Sequence, residues 1–545
     1  MMKPLFPIVM LSIALLGPVA PRSLPAPDTD DGAITLPPGF RALVVADNLV
    51  VNRKVGNTGE RLRGIAVAPS GDIYAKGKLG AIFALRDTDG DGRADMIKEF
   101  GPGDGGTHIA FHDGWLYHSS RTAVYRYKYT PGELVPTTAM QTVVSNLPAE
   151  KDHDAKAFAF DDVGRMLVEI GSPYNVYSNP DRQLGAKGMD ATEFQKTYGG
   201  FWRFDPNTLN QTQANGTRFS TGHRHSLALV WNPVSKHFFM VQMGRDNLNV
   251  VDPVHMLDEG SNLGWPYSYW DPFKKGHMVA PEFGGDNFKR VDPDPYDKPV
   301  VAFPAHWAPI QMTLYNGTQF PEKYRGGAFV AFHGSWNRAP RPQAGYQVAF
   351  VPFDAKGMPL GTYETFADGF AGKDVFVNTG DARFRPAGVA VGPDGSLYIS
   401  DTEKGRIWRV MYTGETTTAA RRAAASTSGN FVPPDDRSRG AQLYQQICAA
   451  CHMPDGNGVS GMQPPLVGSA VVAGDPATLI RVVLHGPAQV LPANRPKYAN
   501  QMPPFAAALN DADTADILTF ARRVFGEGAA AVTAAQVAAE RQARR

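Results

Sequence analysis

Cysteine is almost absent from this sequence. Among 545 residues only Cys448 and Cys451 occur, three positions apart in the stretch CAACHMPDG. Exported proteins often rely on disulfides that join distant parts of the chain. A pair this close cannot staple a large domain, so the two thiols indicate a different chemistry.

Neither sign of charge predominates, and nucleotide-binding signatures are missing. The chain has 54 Lys and Arg residues against 53 Asp and Glu residues. This balance argues against a general binder of nucleic acid or of an anionic membrane, because such proteins carry a basic excess. There is no G-x-G-x-x-G between a strand and a helix and no P-loop, so a flavin- or nicotinamide-binding Rossmann domain is not expected.

Long apolar runs are confined to the N-terminus. Residues 1–25 place one lysine before an apolar run from Leu5 to Leu16 and then small residues, which is the pattern of a secretory signal peptide. An uncleaved membrane anchor is the alternative, whereas a lipoprotein anchor is excluded because the segment has no cysteine. No later run approaches ~18 apolar residues. We therefore expect an exported, soluble protein, periplasmic or secreted, without an integral membrane segment.

Six short patterns repeat over residues 33–412. Each is a run of alternating apolar residues, a turn and a second such run, which is the signature of a β-hairpin. Six hairpins predict a mainly β fold, a six-bladed β-propeller whose blades are small antiparallel sheets around one axis. A β-sandwich and two packed β domains are the alternatives. The hairpins are GIAVAPSGDIYA (64–75), HIAFHDGWLYH (108–118), AFAFDDVGRMLVEIG (157–171), LALVWNPVSKHFFMVQMG (227–244), MTLYNGTQFPEKYRGGAFVAF (312–332) and GVAVGPDGSLYISD (388–401).

The character of the chain changes after the last hairpin. Residues 413–436 are small, polar and end in prolines, which is typical of a linker. Residues 437–527 show helical periodicity, with Asp475 and Asn510 as predicted N-caps, so a small all-α domain is expected there. We expect the tail, residues 528–545, to be a frayed helix with little function.

The cysteines stand in Cys448-Ala-Ala-Cys451-His452, the C-x-x-C-H attachment motif of c-type haem. One helical turn places both thiols against the two vinyl groups of the porphyrin, and the next residue presents its imidazole to the iron. A redox thiol pair or half of a zinc site is the alternative. The zinc interpretation lacks its other ligands nearby.

The sixth iron ligand is predicted to be Met502, in QMPPF, because Met453 and Met462 lie too close to the attachment site to cross the haem. His485 is the rival ligand. With C-x-x-C-H on its first helix, a Met-Pro loop and a closing C-terminal helix, this region resembles class I cytochrome c domains.

Basic residues stand just ahead of the repeated hairpins. In a propeller this junction lies at one end of the innermost strand, so six blades direct these side chains at one central spot. Such a ring suits a flat ligand with several carboxylates, because arginine pairs with carboxylate through two parallel hydrogen bonds. The predicted ring is Arg63, His108, His153, Arg224, His225, His306, Arg383 and Arg385.

Residues 35–410 resemble the soluble pyrroloquinoline quinone (PQQ) sugar dehydrogenases, a family that includes glucose and sorbosone dehydrogenases. The resemblance implies a six-bladed propeller with PQQ at its axis, and the cytochrome domain is an added module. It is carried, in order, by KDHDAKAFAFDDVGRMLVEIGSPYNV, TGHRHSLALVWNP, QMGRDNLNVVDPVHMLDEGSNLGWPY, PAHWAPIQMTLYNG, AFHGSWNRAPRPQAGYQVAFVPF and DARFRPAGVAVGPDGSLYISDT.

The resemblance implies roles for particular residues. His153 becomes the general base that takes the substrate hydroxyl proton. Arg224 holds the quinone oxygens and stabilises the charge of the reduced cofactor. The resemblance also implies that Arg383 and Arg385 clamp the PQQ carboxylates and that Asn337 and Arg338 lie near the cofactor. It implies further that the main-chain carbonyls of Gly244 and Arg245 bind a calcium ion, which polarises a PQQ carbonyl. From the ring of basic residues, His225, Arg63 and His306 are predicted as further PQQ contacts.

Several positions depart from the family pattern. His225 stands where the family usually has asparagine, and Arg61 and Arg63 replace a glutamine of the glucose enzymes. Asn337 and Arg338 fall where the glucose enzymes have a lysine, a form closer to the sorbosone-type branch. These departures leave PQQ as the expected cofactor and leave the substrate open.

One acidic loop, DTDGDGRAD, spans residues 87–95. Asp87, Asp89, Asp91 and Asp95 match an EF-hand-like calcium loop through its ninth position. The twelfth position, normally glutamate, is Lys98. The alternative is an Asp-Gly-rich hairpin turn between two strands.

The resulting hypothesis is an exported dehydrogenase that uses PQQ, Ca²⁺ and one covalent haem c to oxidise an aldose, a sorbosone-like aldehyde or a polyol. Its expected partner is a downstream redox acceptor: a cytochrome, a copper protein or a quinone-linked respiratory chain. A calcium-dependent, lactonase-like propeller hydrolase and a non-catalytic electron-transfer or docking protein are the alternatives.

Overall fold

The computed structural model consists mainly of antiparallel β-sheet followed by a helical domain. It describes residues 24–55, 58–150, 152–183, 185–248, 250–272, 274–286, 289–338, 343–373, 376–415, 438–452, 456, 464–495, 502, 504–526 and 528–543. The signal peptide predicted for residues 1–25 and the linker predicted for residues 413–436 therefore lie almost wholly outside the described residues. Within the described residues, no helix is long and apolar enough to cross a membrane.

Six sheets form the blades of a β-propeller, which confirms the predicted fold; each has four antiparallel strands, and the third is extended by a short fifth strand. Strands numbered along the chain, they are β4 (Leu62–Val67), β5 (Ile73–Gly77), β6 (Ile82–Arg86) and β7 (Met96–Phe100); β8 (Ile109–His112), β9 (Trp115–Ser119), β10 (Val124–Lys128) and β11 (Gln141–Val144); β12 (Phe158–Phe160), β13 (Met166–Ile170), β14 (Gly200–Phe204) and β15 (Thr217–Thr221); β16 (Ala228–Asn232), β17 (His237–Val241), β18 (Asp252–Leu257) and β22 (Val301–Phe303); β23 (Pro309–Leu314), β24 (Ala328–His333), β25 (Tyr346–Val351) and β26 (Glu364–Ala367); and β27 (Pro386–Val391), β28 (Leu397–Asp401), β29 (Ile407–Glu415) and β1 (Gly39–Ala46).

Each of the six predicted hairpins forms the first two strands of one blade. The sixth blade takes its outer strand from the other end of the propeller, because β1 pairs antiparallel with β29 along its whole length. This pairing closes the ring and leaves few free sheet edges. In the third blade, β19 (Ser261–Asn262) adds a fifth strand by pairing parallel with β15. Smaller elements outside the blades are β2 (Lys54–Val55), β3 (Thr58–Gly59), β20 (Ser268–Asp271), β21 (Gly276–Val279) and 3₁₀ turns at Asp31–Ala33, Phe194–Lys196, Gln213–Asn215, Pro281–Phe283, Glu322–Tyr324 and Thr379–Asp381.

The first strands of the blades meet at the central axis. Gln311 in β23 links three of them, since its amide nitrogen donates to the Ile65 carbonyl at 3.0 Å and its oxygen accepts from Ile65 N at 3.0 Å and Val389 N at 3.3 Å. Beside it, Ala157, Leu227, Ile310 and Ala387 pack together as a small buried cluster. This axial cluster is the reference point for placing the predicted ring.

The C-terminal part is helical, as predicted. A π-helical turn (Tyr444–Cys448) joins its first two helices. Asp475 accepts hydrogen bonds from the amides of Ala477 (3.2 Å) and Thr478 (3.0 Å), and Asn510 accepts one from Asp513 (2.8 Å), which confirms both predicted N-caps. The helices are α1 (Arg439–Leu443), α2 (Ala449–His452), α3 (Ala470–Ala473), α4 (Pro476–His485), α5 (Pro487–Val490), α6 (Asp511–Val524) and α7 (Ala534–Gln542).

The tail differs from the expectation of a frayed helix. Helix α7 starts at a capping box on Thr533, and Val537 is fully buried in the core of the helical domain. Arg541 donates to the carbonyls of Ala506 and Leu509 and to Asp511. The alanine-rich sequence did not indicate this packing, because only one face of the helix, centred on Val537, contacts the core.

We predict that Val537→Asp destabilises the helical domain by about 2–4 kcal/mol, since it removes a buried aliphatic side chain and introduces an unpaired charge. Ala535→Asp on the exposed face of the same helix is the matched control and should leave stability unchanged. Chemical denaturation of the holo-protein, followed by haem absorbance, measures both. Equal midpoints for the two variants would contradict the packing of α7.

Candidate active site and haem-attachment site

Most of the predicted ring residues gather at one end of the propeller axis. His153 lies four positions before Ala157, His225 two before Leu227 and Arg385 two before Ala387. The first strands of the blades run side by side about the axis, so residues that precede the axial cluster lie at the same end. The contacts of these side chains define two adjoining groups.

His153 stands at the centre of the first group. Its backbone has φ 54°, a strained left-handed conformation for a non-glycine residue. Its Nδ1 forms a short hydrogen bond with the carbonyl oxygen of Ser172. A carbonyl only accepts, so Nδ1 carries the proton and Nε2 is left with a free lone pair. Burial, together with neighbouring Arg224 and His225, holds the pKa of His153 well below its ordinary value.

His225 lies directly against His153. The two ring centroids are 4.7 Å apart with an interplanar angle of 31°. His225 Nδ1 is 3.1 Å from Oε1 of Glu169, whose side chain has no exposed surface. The sequence reasoning missed Glu169; its only signal was an acidic residue inside the apolar strand MLVEI.

Arg224 is buried and donates to Asp246 at 2.7 Å. Arg182 reaches the same carboxylate at 3.2 Å and also contacts Asp152 at 3.3 Å. Burial lowers the pKa of the Arg224 guanidinium, and Asp246 opposes that shift. Asp246 and Arg182 were not predicted, because both lie in loops outside the repeated hairpins and their ion pair joins loops of two different blades.

The second group is strongly cationic. Burial and the guanidinium groups of Arg61 and Arg385 lower the pKa of Arg63 to about 10. Arg385 donates to the carbonyls of His333 at 2.9 Å and Gly334 at 2.8 Å. Burial and these arginines hold the pKa of His333 well below its ordinary value. A site that concentrates positive charge in this way favours an anionic ligand.

Three further predicted residues meet around Asp246. Asn337 donates to the Asp246 carbonyl at 3.0 Å, and Arg338 donates to the Ala305 carbonyl at 3.4 Å. His306 has φ 65°, and burial lowers its pKa to about 4 although Asp246 opposes that shift. The structure therefore brings Asn337, Arg338 and His306 to the Arg224 side of the site.

Buried side chains hold the turn that carries Gly244 and Arg245 in place. Asp252, fully buried, accepts from Gly244 N at 2.7 Å, and burial raises its pKa to about 7. Arg245 forms a two-point ion pair with Glu282 at 2.9 and 2.5 Å. Among the described residues, no donor reaches the carbonyl oxygens of Gly244 and Arg245. Both oxygens remain available to bind a cation.

Two members of the predicted ring stand apart from these groups. Arg383 is exposed, with its guanidinium 5.1 Å from the ring centre of Phe384. His108 is buried edge-on against Phe158 at 4.8 Å, and burial lowers its pKa to about 4. The contacts of His108 are those of a core residue, and a role for Arg383 at the axis stays a prediction.

The carboxylates of the acidic loop accept hydrogen bonds from atoms of the same loop. Asp87 accepts from the amides of Gly90 (2.7 Å) and Gly92 (2.8 Å), and Asp95 accepts from Thr88 Oγ1 at 2.6 Å. Oxygen atoms of Asp87, Asp89 and Asp95 lie within 4.8 Å of one another. Asp91 instead accepts from the amide of Arg93 at 2.7 Å. Three carboxylates could thus share a cation, and calcium binding here stays a prediction.

The helical domain presents the residues of a haem site. His452 ends helix α2, and its Nδ1 donates to the Pro464 carbonyl at 3.0 Å, which leaves Nε2 free for a metal. Cys448 is half-buried against the domain core, and Met502 packs against the same core. The backbone of Cys451 lies in α2; its side chain, like Met453 and Met462, lies outside the described residues. His485 ends helix α4 with a buried Nε2 that has no partner among the described residues.

We predict that Met502→Ala removes the methionine–iron charge-transfer band of the oxidised haem and lowers its reduction potential by on the order of 0.1 V or more, because thioether ligation favours ferrous iron. Met462→Ala is the control and should change neither property. Visible spectroscopy and a redox titration make the measurement. If the wild-type spectrum lacks the band and His485→Ala alone shifts the potential, the sixth ligand is His485.

Three family models match the chain. The model for glucose/sorbosone dehydrogenase matches residues 115–338, and the TrAA12-like model matches residues 283–413. The model for the cbb3-type cytochrome c oxidase subunit III matches residues 435–520. These matches confirm both parts of the resemblance seen in the sequence.

Curated relatives follow the same division. A Borreliella burgdorferi protein of unknown function is 25% identical over 68% of this chain and 91% of its own length. The cytochrome c subunit of the quinone alcohol dehydrogenase of Gluconobacter oxydans is 43% identical over 16% of this chain and 19% of that subunit. A PQQ-dependent pyranose dehydrogenase of Coprinopsis cinerea is 28% identical over 35% of this chain and 29% of that enzyme. The match thus spans less than a third of the length of the alcohol dehydrogenase subunit and of the pyranose dehydrogenase.

Solved structures share the propeller fold. An AA12 carbohydrate-active enzyme of Trichoderma reesei superposes with a TM-score of 0.57 at 18% identity, covering 70% of this chain and 98% of that one. The holo PQQ domain of the Coprinopsis cinerea pyranose dehydrogenase gives a TM-score of 0.54 at 18% identity, covering 69% and 97%. At this identity the likeness concerns the fold alone.

Proposed function

We propose that this chain, a propeller of the glucose/sorbosone dehydrogenase type joined to a cytochrome c domain, is an exported quinohaemoprotein dehydrogenase. Its substrate is an aldose, a sorbosone-like aldehyde or a related polyol. Its cofactors are PQQ, Ca²⁺ and one covalent haem c. The electrons taken from the substrate pass to a respiratory acceptor. The names of the pyranose dehydrogenase and of the alcohol dehydrogenase subunit support this assignment.

The observation that carries the proposal is His153 in its fixed tautomer beside buried Arg224. The surrounding residues fit PQQ, an aromatic tricarboxylate. Buried Arg224 Nε, Asn337 Oδ1 and His333 Nε2 have no hydrogen-bond partner among the described residues. The cationic group around Arg63 and Arg385 supplies charge for carboxylates. A flat anionic ligand would accept from Arg224 Nε and pair with the cationic group, whereas Asn337 Oδ1 can only accept and suits a hydroxyl or N–H donor.

The protein's own contribution to the reaction begins with His153. Its Nε2 takes the substrate hydroxyl proton, which Ser172 makes possible by holding the Nδ1 proton. Arg224, held by Asp246, provides positive charge at the point where negative charge develops on the oxidant. PQQ, when bound, would supply an electron-accepting carbonyl for the hydride lost by the hydroxyl-bearing carbon of the substrate.

The carbonyls of Gly244 and Arg245 would hold Ca²⁺ next to this group. Oxygen ligands are those that calcium prefers, and the ion acts as a Lewis acid. The described contacts of Asp252 with Gly244 N and Ala308 N keep the turn in place. His452 and Met502 would hold the haem iron, through which the two electrons leave one at a time.

The test is reconstitution of the purified protein with PQQ and Ca²⁺, followed by a panel of aldoses, sorbosone, polyols and simple alcohols. Haem reduction, followed by its absorbance, should require PQQ, Ca²⁺ and one substrate class together. A panel of lactones in parallel tests for hydrolysis. Lactone hydrolysis without substrate-driven haem reduction would replace the dehydrogenase assignment by a hydrolase.

A further inference from the structure

A second imidazole, that of His225, lies against the ring of the proposed base, His153. The ring of His225 covers one face of His153 at a centroid distance of 4.7 Å. On its other side, His225 Nδ1 meets Glu169 Oε1 at 3.1 Å, and the same oxygen accepts from Ser226 N at 3.2 Å. Base, imidazole and carboxylate thus form a continuous row at the axis.

The row is built into the fold rather than placed on its surface. Glu169 lies in β13 with no exposed surface, and His225 is also buried. Lys156, buried beside Glu169, supplies the opposite charge, and burial lowers the pKa of that lysine to about 8. A buried carboxylate is costly unless it is paired and hydrogen-bonded, so its position indicates a specific use.

Gly171 gives the row its space. A Cβ atom at this position would stand 2.7 Å from Glu169 Oε1, 2.7 Å from the His153 carbonyl and 2.9 Å from His225 Nδ1. Separations this short are essentially never observed for real side chains. The three groups can approach one another only because residue 171 is glycine.

We propose that His225, oriented by Glu169, is a positioning residue that fixes the ring plane of His153. Ser172 fixes one atom of the base by accepting from Nδ1, and a single hydrogen bond still allows the ring to tilt about it. The imidazole of His225, packed against the ring at 4.7 Å with an interplanar angle of 31°, restricts that tilt, so Nε2 keeps one direction toward the substrate hydroxyl. This inference rests on the proposed function and differs from the direct PQQ contact predicted for His225.

The charged groups around His153 are defined on every side. Arg224 and Arg182 face it from the side of Asp246, and Asp154 and Lys156 follow it along the chain. Glu169 stands beyond His225.

The experiment is a double-mutant cycle in the PQQ- and Ca²⁺-loaded enzyme. His225→Asn, which restores the usual family residue, should lower kcat by about 10–100-fold, as expected for a misdirected catalytic group, with KM and PQQ affinity within about 3-fold of wild type. Glu169→Gln keeps an acceptor for Nδ1 and should lose less. In a His153→Ala background, His225→Asn should cost almost nothing further, because it acts through His153.

The matched control is His237→Asn. His237 forms the same type of pair with Asp258 at 2.7 Å, but at the start of β17, far along the blade from the axis. It should leave kcat unchanged. If His225→Asn weakens PQQ binding as much as it lowers turnover, or costs the same in both backgrounds, the positioning role is wrong and His225 is a cofactor contact.

A readout without turnover separates this inference from the proposed function. Carbethoxylation of His153 in the apo-protein, measured by peptide mass spectrometry, should become several-fold faster in His225→Asn because one ring face is uncovered. An unchanged rate would overturn the positioning role. Loss of substrate oxidation in the wild type, with the rate effect still present, would overturn the proposed function alone.

Discussion

His153→Ala should lower kcat of the reconstituted enzyme by about 10²–10⁴-fold, the range for removal of a general base. The structure gives the reason: Ser172 fixes Nδ1 as the protonated nitrogen, and Nε2 is the free lone pair next to Arg224. PQQ affinity should change little, because Arg224, Arg63 and Arg385 are untouched. Steady-state haem reduction and a PQQ titration measure the two quantities. Unchanged turnover would show that His153 is not the base.

The pH dependence supplies the control for this prediction. Burial and the neighbouring guanidinium groups of Arg224 and Arg182 hold the pKa of His153 well below its ordinary value. The ring therefore stays neutral, and able to act as a base, at pH values below that ordinary value. Activity should therefore fall only as pH drops through the depressed pKa. An acidic limb in kcat/KM at or above the ordinary histidine pKa would contradict the assigned environment.

Hairpin repeats made the propeller predictable. Turn residues such as those in APSGD and GPDGS mark the reversal between the first two strands of a blade, and period-2 apolarity marks the strands themselves. These signals are local, so they can be recognised in the sequence without a structure. The closing strand β1 carries no such hairpin signal, because its partner β29 lies more than 300 residues away.

The site was predictable where a residue stands at a repeated position or in a stretch that carries the family resemblance. His153, Arg224 and Arg385 each precede a first strand, and this shared place located them. Glu169 and Asp246 follow no such rule. Glu169 sits within a strand where alternation favours an apolar residue, and Asp246 lies in a loop that only the fold brings to Arg224 and to Arg182 of another blade.

Covalent haem attachment carries the second large prediction. Cys448→Ala combined with Cys451→Ala should abolish haem absorbance in the purified, denatured protein, since the C-x-x-C-H thiols are the only cysteines in the chain. The variant's propeller should still bind PQQ and, with substrate, reduce a small two-electron dye. Reduction of a protein acceptor, such as a small cytochrome or copper protein, should fall to the rate without enzyme.

The two acceptors distinguish an electron-transfer role for the haem from a role in folding. A dye can reach the propeller site directly, whereas a large one-electron acceptor must meet the haem. Met502→Ala keeps the covalent haem and is the intermediate case: it should slow protein-acceptor reduction and leave the dye rate unchanged. If the double-cysteine variant still reduces the protein acceptor at the wild-type rate, electrons leave from the propeller itself. The helical domain would then take no part in electron transfer, and the hydrogen bond from His452 to Pro464 would contribute to stability alone.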